Sequence, residues 1–329
     1  MDNRRDNELA SGRAETSVSQ VGSCKRFQSL QALLAAPGSL KEWGQAASQL
    51  GIQGHLPDYI PLLATADPTW FAVSIRTLTG EAQAWGDCDR AIVLMSIIKP
   101  FVLLYLLEQF GSDRVFQWVG CQPSEHPFYS LNQLQMDQGF PRNPMINSGA
   151  LALSGRLPGK SAADRCNQLC QWLNQQAEVA LSLDKSMLAS VEGLSNETNY
   201  AIAQCLAQSG HLRDVDLAIA TYNRICCLAG TVDDIARLGL LLVSESIQAL
   251  HRRAVNALML TCGLYEVSGP YAVRIGLPMK SGVSGLILAI VPQQGAIVCY
   301  SPALDTTGNS IGGLAFVEQL AQRCSLGPF

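Results

Sequence analysis

The sequence contains little charge, few histidines and no cysteine pair with metal-binding spacing. Asp, Glu, Lys and Arg together make up 15% of its 329 residues, below the share of about a quarter that is usual in soluble proteins. The formal net charge is −4, and Lys and Arg form no cluster, so we exclude a nucleic-acid-binding surface. The four histidines are scattered, and none of the eleven cysteines forms a Cys-x-x-Cys pair. We therefore expect neither a metal site nor a cofactor.

Long apolar runs are also absent. The run from Phe101 to Leu107 is far shorter than the roughly 20 residues that cross a membrane. The first residues carry no apolar core, so we expect no secretory signal. An odd number of cysteines without paired spacing is typical of free thiols in a reducing compartment, so we expect a cytoplasmic protein. Residues 1–26 are polar, which predicts a disordered tail.

The predicted elements follow the order strands, a long helical region, and strands again. A hairpin is predicted at 70–85 around the turn residues Thr79 and Gly80. A buried helix is predicted at 91–110, and Gly111 is expected to end it. Further strands are predicted at 271–275, 286–292 and 296–300. One helix or a pair of short ones is predicted at 28–50. Further helices are predicted at 162–173, 197–208, 215–227, 232–242 and 309–324.

This order predicts two domains. Residues 27–111 and 261–329 are expected to form a discontinuous α/β domain, in which helices flank a sheet, and residues 112–260 an inserted helical domain. The hydrophobic share of 48% is enough for a large core. A cleft between two such units is a natural ligand site.

Ser96 and Lys99 have the spacing of a nucleophile and its base. Residues i and i+3 share one face of a helix, so the amine can accept the proton of the hydroxyl. The amine must be neutral for this, and the surrounding Ile, Val, Leu and Phe residues supply the dry setting that lowers the pKa of a lysine. Pro100 is tolerated only in the first turn of a helix, which places Ser96 near the helix N-terminus.

The Ser-x-x-Lys spacing alone is weak, because Ser182 and Lys185 repeat it in a polar context. A second element strengthens the first copy: Lys280-Ser281-Gly282 lies downstream in a strand-like segment. Serine enzymes of the β-lactamase and penicillin-binding class combine these two elements, and the strand backbone helps to form an oxyanion hole. The Ser-Asp-Asn element of that class is not present between them.

Longer blocks of sequence resemble the serine-dependent glutaminase family, from about Leu56 to about Leu320. They include Arg142-Asn143-Pro144-Met145-Ile146-Asn147-Ser148-Gly149-Ala150, Thr261-Cys262-Gly263-Leu264-Tyr265 and Gly276-Leu277-Pro278-Met279-Lys280-Ser281-Gly282-Val283. The resemblance implies a β-lactamase-like fold, with an antiparallel sheet flanked by helices and an inserted all-helical domain. It implies hydrolysis of L-glutamine to L-glutamate and ammonia.

The resemblance also implies a role for each matching residue. Ser96 is the nucleophile and Lys99 its base, and the backbone N–H groups of Ser96 and Val283 form the oxyanion hole. Lys280 supports the electrostatics of the site. Tyr59 and Tyr265 serve proton transfer and orientation at the reacting end of the substrate. The amino-acid end of glutamine is bound by four residues: Asn147, Glu192, Asn199 and Tyr222.

The chemistry of glutamine fits these residue types. An acidic group such as Glu192 can pair with the ammonium, and the amides of Asn147 and Asn199 can donate to the carboxylate, as can the phenol of Tyr222. Glu192 and Asn199 are seven positions apart, so we expect one helix to present both.

Some positions depart from the family pattern. Met95, Ile98 and Pro100 replace residues of the usual Gln-Ser-Ile-Ser-Lys-Val/Ala-Phe, so one polar group beside the dyad is lost. Ser148 stands where the family has Ala, and Ser284 where it has the first of two glycines. We expect these changes to affect rate and affinity rather than the type of reaction.

Two other functions fit parts of the pattern. A β-lactamase or penicillin-binding hydrolase would turn over a β-lactam, but the missing Ser-Asp-Asn element and export signal disfavour it. A catalytically silent relative would bind glutamine without releasing ammonia. The high apolar fraction and the resemblance favour a homodimer or homotetramer, with glutamine as the small-molecule ligand and neither nucleic acid nor membrane as a partner.

Overall fold

The computed structural model describes residues 29–35, 38–324 and 326, and it shows a mixed α/β protein. The tail predicted at 1–26 lies outside the described residues. Eight strands are numbered in chain order: β1 Ala72–Thr77, β2 Ala82–Gly86, β3 Ile92–Val93, β4 Ser182–Leu183, β5 Leu228–Gly230, β6 Met279–Gly282, β7 Leu286–Val291 and β8 Gly295–Tyr300.

Helices make up most of the remaining described chain. The α-helices are α1 Leu30–Leu34, α2 Ser39–Gly51, α3 Ile98–Phe110, α4 Ser112–Val115, α5 Leu131–Met136, α6 Asn147–Ser154, α7 Ala162–Ala177, α8 Lys185–Glu192, α9 Glu197–Gln208, α10 Val215–Cys226, α11 Val232–Leu240, α12 Ala249–Cys262, α13 Ser268–Arg274 and α14 Ile311–Arg323. Short 3-10 helices occur at Leu63–Thr65, Met95–Ile97 and Tyr265–Val267. Among the helices of the described chain, none has the length and apolar character needed to cross a bilayer.

A five-stranded antiparallel sheet forms the centre of the fold, in the order β2-β1-β8-β7-β6. Side chains alternate between its two faces, so β1, β7 and β8 each contribute to two separate hydrophobic clusters. On one face Val73, Ile287 and Ile297 pack with Trp43 of α2 and Phe316 of α14. The other face packs against α3, α11 and α12 and belongs to the larger cluster. The sheet is therefore covered by helices on both sides.

A second, three-stranded sheet in the order β3-β5-β4 lies beside the start of α3. Its strand β5 accepts a hydrogen bond at the Leu228 carbonyl from the backbone N–H of Leu94, at 2.8 Å. Since Leu94 immediately precedes the 3-10 helix at Met95–Ile97, this sheet fixes the position at which that helix and α3 begin.

Helix α11 is fastened to the large sheet by an ion pair. Asp233 accepts hydrogen bonds from Arg76 of β1 at 2.6 and 2.7 Å, and from the hydroxyl of buried Ser74 at 3.2 Å. Close packing accompanies the pair: a Cβ on Gly239 would lie 2.6 Å from Cβ of Ala296. Residue 233 lies in the predicted helical domain, so α11 links that stretch of chain directly to the sheet.

Most predicted elements occur in the structure, but two were wrong. Tyr271–Ile275 was expected to be a strand, whereas residues up to Arg274 form α13, whose Val273 is 89% exposed. The long helix expected from Ala91 begins only at Ile98, because β3 and a 3-10 helix precede it. Its end is confirmed: Gly111 has φ 76° and donates its N–H to the Leu107 carbonyl.

We predict that Asp233→Ala lowers the free energy of unfolding by about 1–3 kcal/mol, because it leaves the Arg76 guanidinium and the buried Ser74 hydroxyl without their acceptor. Urea denaturation followed by circular dichroism measures this change. Glu125→Ala, which removes an exposed carboxylate, serves as the control and should change the value by less than about 0.5 kcal/mol. Equal stability of the two variants would contradict the prediction.

Candidate active site

A cleft of about 780 Å³ lies at one end of the large sheet. Its rim is formed by four chain segments, at 57–60, 127–129, 194–199 and 304–308. Six of the residues predicted for the site line it: Tyr59, Ser96, Asn147, Asn199, Tyr222 and Val283. The structure thus brings together residues that are up to about two hundred positions apart in the sequence.

Ser96 lies in the 3-10 helix that leads into α3, and Pro100 lies in the first turn of α3, as predicted. The preceding Met95 has a positive φ of 45°, a strained conformation for a residue with a side chain. The Ser96 side chain interacts with the phenol of Tyr265 and lowers the pKa of that phenol against the larger, opposing effect of burial. Ser96 is 6% exposed and borders the cleft, so the helix start presents its side chain there.

Lys99 is 2% exposed, and its amine has two acceptors. Nζ donates to the Met145 carbonyl at 3.2 Å and to Oδ1 of Asn147 at 2.8 Å. Burial is the main cause that lowers the pKa of Lys99 to about 8, and the nearby Cys226 thiol opposes it weakly. A substantial fraction of the amine is therefore neutral near pH 8, as a base requires.

Asn147 connects the groups on the floor of the cleft. It is the first residue of α6, and its backbone N–H donates to the Phe128 carbonyl at 2.8 Å. Its Oδ1 accepts from Lys99 and from the Tyr222 hydroxyl at 3.2 Å, and its Nδ2 donates to Oδ1 of Asn199 at 3.0 Å. One amide thus orients groups from α3, α9 and α10.

Lys280 of β6 is fully buried beside the Tyr265 ring. Its Nζ donates to the carbonyls of Gly263 at 3.1 Å and Ser281 at 2.6 Å and lies 4.6 Å from the centre of the Tyr265 ring. Burial, and then the nearby Lys99, lower the pKa of Lys280 well below its ordinary value. Lys280 therefore serves as a hydrogen-bond donor that holds β6 against the turn before Tyr265.

Tyr265 has a positive φ of 56° and donates its hydroxyl proton to the Ser281 carbonyl at 3.3 Å. Burial raises the pKa of its phenol far above the ordinary value, so the phenol remains protonated. The turn before it depends on Gly263, where a Cβ would lie 1.7 Å from the Met279 carbonyl. Only glycine permits this close approach of the chain to β6.

Val283 follows β6 and lies next to the segment that bears Ser96. A Cβ on Gly282 would lie 3.0 Å from the Leu94 carbonyl and 3.1 Å from Cγ1 of Ile97. The strand end and the 3-10 helix are thus in contact, and both Ser96 and Val283 border the cleft.

Two predicted residues occupy the periphery. Tyr59 lies on the rim and is 53% exposed. Glu192 is exposed at the end of α8 and is not among the residues that line the cleft, although its neighbour Val191 is. The expectation that one helix presents Glu192 and Asn199 was wrong, because α8 ends at Glu192 and α9 begins at Glu197.

The sequence analysis missed several residues that line the cleft. Phe128 and Glu266 have no motif that distinguishes them, and Glu266 could be suspected only from its place after Tyr265. Asp305 lies just before the Gly308-Asn309-Ser310 stretch and accepts three hydrogen bonds at Oδ1 within its own loop. Across the residues that the structure describes, no cluster of His, Cys, Asp and Glu has the geometry of a metal site.

The sequence and the fold are similar to those of known glutaminases. A family model described as "Glutaminase" matches residues 54–329. A glutaminase of Synechocystis sp. is 44% identical over 284 residues, which are 85% of this chain and 87% of the relative. The structure of the probable glutaminase ybaS superposes with a TM-score of 0.82 at 33% identity, covering 89% of this chain and 99% of the other.

A second solved structure with a similar fold is the covalent complex between the Bacillus subtilis glutaminase YbgJ and 5-oxo-L-norleucine, which was formed by reaction with 6-diazo-5-oxo-L-norleucine. It has a TM-score of 0.80 and 28% identity, and it covers 88% of this chain and 98% of that one. Fold, cleft and relatives together define the class of protein as an amide-hydrolysing enzyme. Within that class, the chain belongs to the glutaminase family, because the family model and the relatives span most of its length.

We predict that Gly263→Ala lowers kcat by about 100-fold, because the added Cβ would push β6, with Lys280 and Val283, away from the reacting groups. The displacement should also destabilise the fold by about 1–3 kcal/mol. Steady-state ammonia release and thermal unfolding measure the two effects.

Gly269→Ala is the matched control, because a Cβ at Gly269 meets no atom within 4 Å. It should retain wild-type kcat and stability. Full activity of Gly263→Ala would show that the close approach to Met279 does not position the site.

Proposed function

We propose that the protein hydrolyses the side-chain amide of L-glutamine to L-glutamate and ammonia through a glutamyl ester on Ser96. The reaction follows from membership of the glutaminase family. Two features support Ser96 as the nucleophile. Ser96 lines the cleft at the start of a helix, and Lys99, three residues later, is buried and has a pKa lowered to about 8. The covalent complex of the YbgJ relative supports a nucleophile in the corresponding cleft.

In the first step, Ser96 Oγ attacks the side-chain carbonyl carbon of glutamine. The hydroxyl proton passes to the neutral Lys99 amine, which shares one face of the helix with it. In the structure the amine donates to Met145 and Asn147, and among the described residues no hydrogen bond joins it to the Ser96 hydroxyl. Transfer therefore requires the amine to turn from Asn147 towards Ser96 when substrate enters.

Negative charge on the carbonyl oxygen is stabilised by the backbone N–H groups of Ser96 and Val283. Such fixed donors are worth most where water is excluded. Ammonia leaves after receiving a proton from Lys99 or from the protonated phenol of Tyr265. Water then attacks the ester and restores Ser96 by the same proton path in reverse.

The amino-acid end of glutamine is held at the opposite part of the cleft. The amide N–H groups of Asn147 and Asn199 and the Tyr222 hydroxyl donate to the carboxylate. Tyr59 covers the substrate from the rim. Glu192 pairs with the ammonium, which requires the link between α8 and α9 to move towards the cleft, because Glu192 is exposed and is not among the residues that line the cleft.

The arrangement supports a β-lactamase-like fold, since an antiparallel sheet is covered by helices and ends in the Lys280-Ser281-Gly282 strand beside Ser96. A β-lactam hydrolase is disfavoured by the similarity to glutaminases along most of the chain. We further propose a cytoplasmic homodimer or homotetramer, which size-exclusion chromatography with light scattering distinguishes from a monomer.

We predict that Ser96→Ala lowers ammonia release by about a million-fold and that Lys99→Ala is nearly as harmful, because nucleophile and base act as a unit. Mass spectrometry after incubation with 6-diazo-5-oxo-L-norleucine should show a covalent adduct on Ser96 of the wild-type protein only. Ser182→Ala, in the second Ser-x-x-Lys copy, should remain active. An active Ser96→Ala variant would remove Ser96 from the mechanism.

We predict that kcat/KM falls about tenfold per pH unit below pH 8, where protonation of the Lys99 amine removes the base. Above pH 8 the amine is neutral, so the rate should level off. The pH profile of kcat/KM between pH 6 and 10 measures this. A profile that is flat from pH 6 to 8 would show that a different group accepts the proton.

A further inference from the structure

The aromatic ring of Phe128 stands beside the Lys99 amine. Phe128 lines the cleft, and the centre of its ring lies 5.9 Å from Nζ of Lys99. The ring of Tyr222 lies 5.8 Å from the same nitrogen. Two aromatic rings therefore border the amine, and Phe128 lies at its boundary with the open cleft.

Contacts on several sides hold the Phe128 ring in this place. It packs on the Tyr265 ring with centroids 4.5 Å apart, at an interplanar angle of 31°. A Cβ on Gly308 would lie 3.9 Å from Cε1 of Phe128, so the 304–308 segment approaches it as well. The backbone is fixed too, because the Phe128 carbonyl accepts the N–H of Asn147 at 2.8 Å.

We propose that Phe128 is a positioning residue that keeps water of the cleft away from the Lys99 amine and thereby sets the pH range in which Lys99 acts as a base. This inference rests on the proposed role of Lys99 in the reaction. Its physical basis is that burial, rather than a neighbouring charge, is the main cause of the lowered pKa of Lys99. A smaller side chain at position 128 would admit water, which stabilises the protonated amine.

The other titratable groups around Lys99 remain unchanged when only position 128 is varied. These groups are Cys226 and Tyr222 of α10, Lys280 of β6 and, across the Phe128 ring, Tyr265. The nearby Lys99 lowers the pKa of Lys280, and both amines are present in every variant, so the compared proteins differ only at the varied position.

The kinetic test compares Phe128→Ala, Phe128→Leu and wild type by the pH profile of kcat/KM. For Phe128→Ala we expect the acid limb to move up by about one pH unit, so that the rate falls about tenfold at pH 7 and returns towards wild type above pH 9. Phe128→Leu keeps most of the apolar volume and should shift the limb less in the same direction. Phe140→Ala, another half-buried ring, which stacks on His211, is the control and should not shift it.

A direct titration of Lys99 separates this inference from the proposed mechanism. The ε-carbon resonance of Lys99, in protein with ¹³C-labelled lysine and assigned by its loss in Lys99→Met, reports the protonation state without catalysis. An upward shift of its midpoint in both Phe128 variants supports the inference. If the resonance shifts but the kinetic limb does not, Lys99 is not the base. A resonance midpoint equal to that of wild type in both variants overturns the role of Phe128.

Discussion

The exclusion of water from the Lys99 amine is the constraint on which the rest of the site depends. Its burial lowers the pKa to about 8. Burying an amine is tolerable only if its donors are satisfied. The Met145 carbonyl and the Asn147 amide supply the acceptors, and Asn143 fixes this turn by accepting the N–H groups of Met145 and Ile146 at 2.9 and 3.2 Å. The polar floor of the cleft is thus built around one amine.

A second lysine, Lys280, is also fully buried. Lys280 is satisfied by two backbone carbonyls, and neither lysine forms an ion pair with a carboxylate in the described chain. Without such a partner, burial and the nearby Lys99 lower the pKa of Lys280 well below its ordinary value. Ile98, which replaces a serine of the family pattern, is fully buried beside Lys99 and adds apolar surroundings. The departures from the family motif are therefore compatible with a neutral base.

The sequence was sufficient to predict a helix or strand where a local pattern of residues determines it. Helix α9 was predicted with its observed bounds, and the hairpin and the last two strands were located, because turn residues and periodicity mark them. The short helix α13 was mistaken for a strand, since a run of seven residues does not distinguish the two periods. The division into an α/β and a helical domain stays a prediction.

The sequence named candidate residues for the site but not their arrangement, and their roles stay predictions. Resemblance to a family supplied Ser96 and Asn147, which line the cleft, Lys99, whose amine donates to Asn147, and Glu192, which is exposed and is not among the lining residues. It could not supply Phe128 or the hydrogen bonds of Asn147, because these arise from tertiary contacts between segments that are distant in sequence. The break between α8 and α9 was missed because spacing alone does not show where a helix ends.

The cleft also divides into two parts that differ in their freedom to change. Its floor belongs to the interior of the fold, where α3 is buried along most of its length, so a substitution there disturbs folding and chemistry together. Its rim consists largely of connecting segments, such as 57–60 and 304–308, which carry partly exposed side chains. During evolution, substitutions in the rim can therefore change the preference among glutamine-like compounds, while the residues of the floor are retained.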